Sequence, residues 1–209
     1  MVEKIYFDKS TFIWKGKLKL SNYRDLILKE SLDLISSSDD SDKKIDAYKY
    51  FNSKRLDSTG NILIENKLDE ICQSGINVCK RLYENQFNKV NADAWVNVVR
   101  SKDPVQPKLT GSRYHTHTDI QSRLGSFFPH YTYVYYIQMP DVMDKEEGVL
   151  YFKGKDDKEY WVRPEEDDLI IMEGWMPHSP NNAPNSTVDR IVMAGNVGFE
   201  YIKQQKSLV

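Results

Sequence analysis

The chain has 209 residues, of which 40% are hydrophobic, and its 29 Lys and Arg nearly balance 31 Asp and Glu, so the formal net charge is -2 at pH 7. At roughly 100–200 residues per domain, this length predicts a single domain, and the balanced charge argues against binding to nucleic acid through a basic surface. No stretch approaches the roughly 18 consecutive apolar residues of a membrane span, and no secretory signal is recognisable, so we expect a cytoplasmic protein without a membrane segment.

The N-terminal part of the chain, residues 1–90, is predicted to form short strands and supporting helices. Ile5–Phe7 and Phe12–Trp14 are short apolar runs typical of strands. Apolar residues then recur at near-helical spacing from Leu26 to Ile35, until a Ser- and Asp-rich loop ends the pattern. A second helix is predicted from Ile64 to Tyr83, with apolar residues along one face and charged residues opposite.

This second helix contains a glycine and both cysteines of the chain. Gly75 costs about 1 kcal/mol relative to Ala in a helix, so we expect a close packing contact there. Cys72 and Cys79 lie seven residues apart on the apolar face. We interpret them as buried hydrophobic residues rather than as a redox pair.

From Ala94 onward the pattern is that of β-strands. Many short strands joined by turns indicate an all-β sandwich or barrel, which we assign to residues 91–202. The predicted strands are Trp95–Val99, Tyr131–Met139, Val149–Phe152, Tyr160–Val162, Leu169–Met172 and Arg190–Ala194, the third and fourth forming a hairpin.

All four histidines of the chain lie in this β region, and two of them suggest a metal site. His117 and Asp119 are separated by one residue, and in an extended segment such residues point to the same face. They can therefore offer one nitrogen and one oxygen to a single ion. His178 follows a predicted strand and can supply a third ligand. Two histidines and one carboxylate around an ion with open positions are typical of non-haem Fe(II) oxygenases.

Arg190 begins the last strong strand, twelve residues after His178. The segment between them is rich in turn-forming residues, which predicts a hairpin that sets the strand of Arg190 beside the strand that ends at His178. A guanidinium that projects into the same cavity can hold a carboxylate through charge-assisted hydrogen bonds. Each such bond contributes roughly 1.5–3 kcal/mol.

The metal-site and anion-binding candidates belong to a longer series of segments in the β region. These segments are, in order, His117-Thr118-Asp119, Tyr135–Gln138, Glu147–Phe152, Val162–Pro164, Asp168–Met172, His178 and Arg190. With them, over about half of the chain, from Trp95 to Phe199, the sequence resembles the Fe(II)/2-oxoglutarate-dependent dioxygenases, specifically their prolyl-4-hydroxylase-like branch. Two departures concern the seventh strand of that family: the preceding turn has acidic residues where the family commonly has Gly, and Met172 stands where Phe is common. Neither departure changes a proposed ligand.

The resemblance implies a mainly β protein with a double-stranded β-helix (jelly-roll) core, on one sheet of which the N-terminal helices pack. It implies that His117, Asp119 and His178 bind Fe(II) at the open end of the barrel. It also implies that Arg190 binds the distal carboxylate of 2-oxoglutarate.

A tyrosine often shares that carboxylate in this family, and Tyr136 is the candidate if the even-numbered residues of its strand face inward. An ordinary core aromatic is an equally good interpretation of Tyr136. Tyr114, Trp95 and Asn97 are further candidates for lining the cavity, from the preceding strands.

The reaction that the resemblance implies is hydroxylation of a C–H bond, with 2-oxoglutarate and O2 as co-substrates and with succinate and CO2 as products. Ascorbate is expected to help in vitro. The substrate is expected to be a prolyl or other peptidyl group, or a small molecule resembling an amino acid. The oligomeric state stays open.

Three alternatives remain at this stage. His115-Thr116-His117 also resembles the metal-binding motif of cupins, which share the barrel; otherwise His115 is a polar neighbour of the metal site and His130 is solvated or faces the substrate. A zinc hydrolase can use the same two histidines and an aspartate, although it gives no role to Arg190. The third alternative is a non-catalytic jelly-roll binding module.

Overall fold

The computed structural model describes residues 2–18, 49–51, 54–55, 62–99, 114–117, 120–122, 125–142, 144–181, 183 and 185–201. Within these ranges no helix is long and apolar enough to cross a bilayer. The elements are β1 (Val2–Tyr6), β2 (Phe12–Lys17), β3 (Lys49–Phe51), β4 (Lys54–Arg55), α1 (Ile62–Leu82), β5 (Lys89–Val99), β6 (Ile120–Ser122), β7 (Gly125–Phe127), β8 (Tyr131–Gln138), β9 (Leu150–Lys153), β10 (Glu159–Val162), β11 (Asp168–Glu173), β12 (His178–Pro180) and β13 (Arg190–Glu200).

The strands form two sheets that enclose a core, and a separate hairpin of β6 and β7. The major sheet has the order β1-β2-β11-β8-β13-β5-β3-β4, and the minor sheet has the order β10-β9-β12. Strands that pair within each sheet run antiparallel. The mainly β fold with a jelly-roll core is thus confirmed, and so is the predicted hairpin of β9 and β10.

The central strands of the major sheet are covered on both faces, which explains why their sequences are almost continuously apolar. In β8 the odd-numbered residues from Tyr131 to Ile137 pack in one hydrophobic cluster with α1. Val134 and Tyr136 belong to a second cluster, which also contains Leu150 and Phe152 of the minor sheet. We call the face that carries this second cluster the inner face of the major sheet.

Helix α1 packs on the outer face of the major sheet around the ring of Tyr133. A Cβ atom added at Gly75 would lie 2.8 Å from this ring, and one added at Gly195 of β13 would lie 2.4 Å from it. The close packing contact expected at Gly75 is therefore confirmed. Cys72 and Cys79 are buried in the same cluster, and no disulfide joins them. The other predicted helix, from Leu26 to Ile35, lies outside the described residues.

Two predictions about the last strands are wrong. β13 continues to Glu200 instead of ending at Ala194, because its pairing with β5 extends to that residue. Gly195, which weakens a strand on its own, leaves space for the ring of Tyr133. The hairpin expected between the strands of His178 and Arg190 does not form either. β13 pairs with β5 and β8 in the major sheet, whereas β12 pairs with β9 in the minor sheet. His178 and Arg190 therefore approach the core from opposite sheets.

Candidate functional site

Three histidines come together at one edge of the minor sheet. His115 and His178 exchange both backbone hydrogen bonds, with N···O distances of 3.1 and 3.0 Å, and the backbone N–H of His117 donates to the carbonyl of Gly174 at 3.0 Å. These bonds hold residues 115–117 against residues 174–178. A Cβ at Gly174 would lie 2.3 Å from the carbonyl oxygen of Pro129, so this close approach requires glycine.

The imidazole rings of these histidines form a compact cluster. The ring centroid of His178 lies 5.1 Å from that of His117 and 4.3 Å from that of His115, and the centroids of His115 and His117 are 5.1 Å apart. Their potential ligand atoms all lie within 4.8 Å of one another. Sequence reasoning brought His117 and His178 together but left His115 outside this group. Asp119, the third predicted ligand, lies outside the described residues.

Desolvation keeps the imidazoles of His117 and His178 in the neutral form that binds metal ions. Desolvation is the main cause that lowers the pKa of His117 to about 4 and that of His178 to about 3, and the nearby His115 adds to both shifts. Desolvation also lowers the pKa of His115. Nδ1 of His178 lies 3.0 Å from the carbonyl oxygen of Met176, which can only accept. Nδ1 therefore carries the hydrogen, and Nε2 is left with a lone pair for an ion.

A cavity of about 70 Å³ extends from the histidine cluster into the space between the two sheets. Its wall is mostly apolar, and its polar groups lie on the histidines, a threonine, a tyrosine and an arginine. The lining residues are His115, His117, Thr132, Val134, Tyr136, Leu150, His178, Pro180, Arg190, Val192 and Ala194.

Arg190 contributes a buried positive charge to this cavity. Its side chain is only 4% exposed, and burial lowers the pKa of the guanidinium, against a smaller opposite effect of Tyr136. Nη1 donates to the backbone carbonyl of Asn181 at 3.0 Å. Nε has no hydrogen-bond partner among the described residues. A buried charge without a counter-ion is unfavourable, so this end of the cavity is chemically suited to an anionic ligand.

Tyr136 lies on the inner face beside Arg190. Burial is the main cause that raises the pKa of its phenol well above the ordinary value, although Arg190 acts in the opposite direction. The hydroxyl group therefore keeps its proton at neutral pH. It can donate a hydrogen bond to an anionic ligand beside Arg190.

The other predicted cavity residues differ in position. Trp95 pairs with Ala194 and Asn97 pairs with Val192 in the ladder between β5 and β13, so both are cross-strand neighbours of lining residues. Tyr114 is not among the described residues that line the cavity; its hydroxyl donates to the carboxylate of Glu159.

Sequence reasoning missed the lining residues Leu150, Pro180, Val192 and Ala194. The last two have the same parity as Arg190 in β13, and this two-residue alternation is the signal that could have identified them.

His130 does not line the cavity and is neither simply solvated nor part of the histidine cluster. Its Nδ1 accepts a hydrogen bond from the backbone N–H of Phe199 at 3.2 Å. Its ring packs against that of Tyr83, with 4.9 Å between the centroids. This histidine therefore joins Tyr83, the residue that follows α1, to the end of β13, which is a structural role.

Comparison with known proteins gives matches of fold only. No protein-family model matches the sequence, and no curated protein matches it. A prolyl-4-hydroxylase from Pseudomonas putida is 12% identical with a TM-score of 0.53, and the match covers 92% of this chain and 88% of the other. HygX from Streptomyces hygroscopicus, solved with nickel and 2-oxoglutarate bound, is 8% identical with a TM-score of 0.54 and coverages of 96% and 87%. A prolyl hydroxylase from Trichoplax adhaerens, solved with a peptide fragment of the hypoxia inducible factor oxygen degradation domain, is 16% identical with a TM-score of 0.53 and coverages of 90% and 83%.

These likenesses confirm the sequence resemblance at the level of the fold. The chain has the jelly-roll fold of the prolyl hydroxylases, with a cluster of three histidines that can offer ligand atoms to a metal ion beside its cavity.

Proposed function

We propose that the chain is a non-haem Fe(II)- and 2-oxoglutarate-dependent oxygenase that hydroxylates a C–H bond. The observation that carries the proposal is that one cavity is lined both by neutral imidazoles and by the buried guanidinium of Arg190. This guanidinium has no carboxylate partner among the described residues. A dicarboxylate with a keto group suits this arrangement, because one carboxylate pairs with the guanidinium while the keto acid end reaches the ion.

His117 and His178 are the proposed Fe(II) ligands, together with Asp119 as predicted from the sequence. Bound Fe(II) supplies, with 2-oxoglutarate and O2, an oxidant that can attack a C–H bond, with release of succinate and CO2. Imidazole is a suitable donor for iron. The hydrogen bond from Nδ1 of His178 to Met176 fixes the orientation of one ligand.

Arg190 and Tyr136 are proposed to hold the far carboxylate of 2-oxoglutarate. Arg190 supplies the charge and the planar pair of donors, and Tyr136 supplies a neutral hydroxyl donor. The apolar side chains of Val134, Leu150 and Val192 line the space between the two ends. They exclude water from the reacting groups.

The fold neighbours support this chemistry by what they bind. HygX carries nickel and 2-oxoglutarate, and the Trichoplax adhaerens enzyme is a prolyl hydroxylase with a peptide. For this chain we propose a peptidyl or a small amino-acid-like substrate.

The decisive test is succinate formation from 2-oxoglutarate in the presence of Fe(II), O2 and ascorbate. We expect the wild type to form succinate slowly even without its substrate, and His178→Ala to form none. Thr116→Ala is the matched control, since Thr116 is an exposed neighbour of the cluster, and it should behave like the wild type. A wild-type protein that binds Fe(II) but neither binds nor consumes 2-oxoglutarate would refute the proposal.

The position of His115 favours a second candidate, a cupin-type metalloprotein that uses three imidazoles without 2-oxoglutarate. In that case replacement of Arg190 should not change the binding of any small molecule to the metal-loaded protein. Isothermal titration of the nickel-loaded protein with 2-oxoglutarate separates the two, because only the oxygenase binds it in a way that depends on Arg190.

A further inference from the structure

We propose that His115 is an additional protein ligand of the metal ion in the protein free of 2-oxoglutarate. The inference rests on the proposed function for the existence of the metal site, and it adds a donor that the two-histidine, one-carboxylate set does not contain. His115 would make this a site with three imidazoles.

The backbone positions His115 as firmly as the other two histidines. The pair of hydrogen bonds between His115 and His178 places the two residues directly opposite each other. The ring of His115 is consequently closer to that of His178, at 4.3 Å, than the ring of His117 is, at 5.1 Å. The two histidines of the segment also lie on one side of it, because they are separated by a single residue.

The distances fit a shared ion after a small adjustment. A zinc–imidazole bond, a guide for similar divalent ions, is about 2.0–2.1 Å long, so two nitrogens on one ion lie about 3–4 Å apart. The ligand atoms of the three histidines lie within 4.8 Å of one another. Rotation of the imidazoles about their side-chain bonds can close this difference. His115 is at the exposed side of the cluster, whereas His178 is 4% exposed, so His115 has the space to move.

The number of coordination positions gives His115 a specific consequence. In the proposed oxygenase, His117, Asp119 and His178 would be the protein ligands of the ion, and 2-oxoglutarate and O2 would need the remaining coordination positions. A bound His115 would occupy one of the positions that the co-substrates need. It would therefore compete with 2-oxoglutarate for the ion. For this reason the test is made without 2-oxoglutarate.

The first measurement is an anaerobic titration of the metal-free full chain with Co(II) and with Ni(II). We expect His115→Ala to bind both ions at least about tenfold more weakly than the wild type, the scale on which even outer-shell partners change metal affinity. Thr116→Ala, the adjacent exposed position, should bind like the wild type. If His115→Ala and Thr116→Ala bind Co(II) equally well, the inference is wrong.

The second measurement detects coordination directly. In His115→Cys a thiolate replaces the imidazole, and Co(II) bound by a thiolate shows an intense charge-transfer absorption in the near ultraviolet. We expect this band in the cobalt form of His115→Cys and not in that of Thr116→Cys. Its absence from His115→Cys would overturn the inference even if His115→Ala proved too unstable to titrate.

The two proposals can fail separately. If the wild type does not bind 2-oxoglutarate, the oxygenase proposal fails, while the cobalt results still decide the role of His115. If His115→Ala binds metal like the wild type and the succinate assay is positive, only the additional ligand is wrong.

Discussion

Arg190 is the residue whose replacement tests the proposed 2-oxoglutarate site most directly. Its guanidinium is 4% exposed, and it has one hydrogen bond to a backbone carbonyl but no hydrogen-bond partner for Nε among the described residues. Arg190→Met fills much of the same space without the charge. We expect this variant to fold, because it removes a buried charge that is costly without a partner and leaves no opposite charge unpaired among the described residues.

The expected loss of affinity follows from the hydrogen bonds that the carboxylate would lose. Two charge-assisted bonds contribute roughly 1.5–3 kcal/mol each, so we take a loss of about 3 kcal/mol, which is roughly a 100-fold weaker Kd. At a 2-oxoglutarate concentration of 100 times the wild-type Kd, binding stabilises the wild type by about 2.7 kcal/mol and the variant by only about 0.4 kcal/mol. For a domain of this size 1 kcal/mol corresponds to about 2–4 °C. 2-Oxoglutarate should therefore raise Tm by about 5–11 °C in the wild type and by about 1–2 °C in Arg190→Met.

The assay is thermal unfolding of the nickel-loaded protein with and without 2-oxoglutarate. Arg163→Met is the matched control, because Arg163 also donates to backbone carbonyls, those of Asp144 and Lys145, but does not line the cavity. It should keep the wild-type shift. Equal shifts in wild type and Arg190→Met would refute the assignment of Arg190 as the carboxylate anchor.

Three further predictions follow from the buried groups. Tyr136→Phe removes one neutral hydrogen bond of about 0.5–1.5 kcal/mol, so calorimetry should give a Kd for 2-oxoglutarate that is roughly 2- to 12-fold weaker; an unchanged Kd would make Tyr136 an ordinary core aromatic. Burial lowers the pKa of His117 to about 4 and that of His178 to about 3, whereas histidine in the unfolded chain titrates near 6.5. The unfolded state therefore binds more protons than the folded state as the pH falls below about 6.5. The free energy of unfolding of the chelator-treated protein, measured by urea titration, should consequently fall between pH 7 and pH 5. An equal fall in the variant with both histidines changed to Gln would contradict this explanation. Gly195→Ala should lower the free energy of unfolding by about 1–3 kcal/mol, because the added methyl group overpacks against Tyr133. The same substitution should be less destabilising in a Tyr133→Leu background, since the two residues are in contact.

Much of the fold could be predicted because its signals are local. The many short apolar runs joined by turns indicated a β sandwich or barrel, and the near-helical spacing of apolar residues indicated the helix now seen as α1. The face of each strand was harder to predict. In β8 both faces are buried, one by α1 and one by the minor sheet, and a continuous apolar run does not reveal which residues face which layer.

In the candidate site, too, local features could be predicted and long-range contacts could not. The residue types of the histidines and Arg190, and the spacing of His117 from Asp119, are properties of the sequence, and they were enough to suggest a metal site with an anion-binding arginine. The sequence did not determine which strands pair with one another, since pairing depends on contacts between distant segments. The sequence suggested a hairpin between His178 and Arg190, whereas the folded chain brings them to one cavity from opposite sheets.

The sequence by itself determined the kinds of element, the metal-binding residue types and the charge available for an anion, because each depends on neighbouring residues. Only the tertiary structure decided that His115 joins His178, through backbone bonds between segments about 60 residues apart along the chain. It also decided that Gly75 and Gly195 both accommodate Tyr133. Long-range packing selects one arrangement among many that the local pattern permits, and these contacts exist only once the sheets have formed.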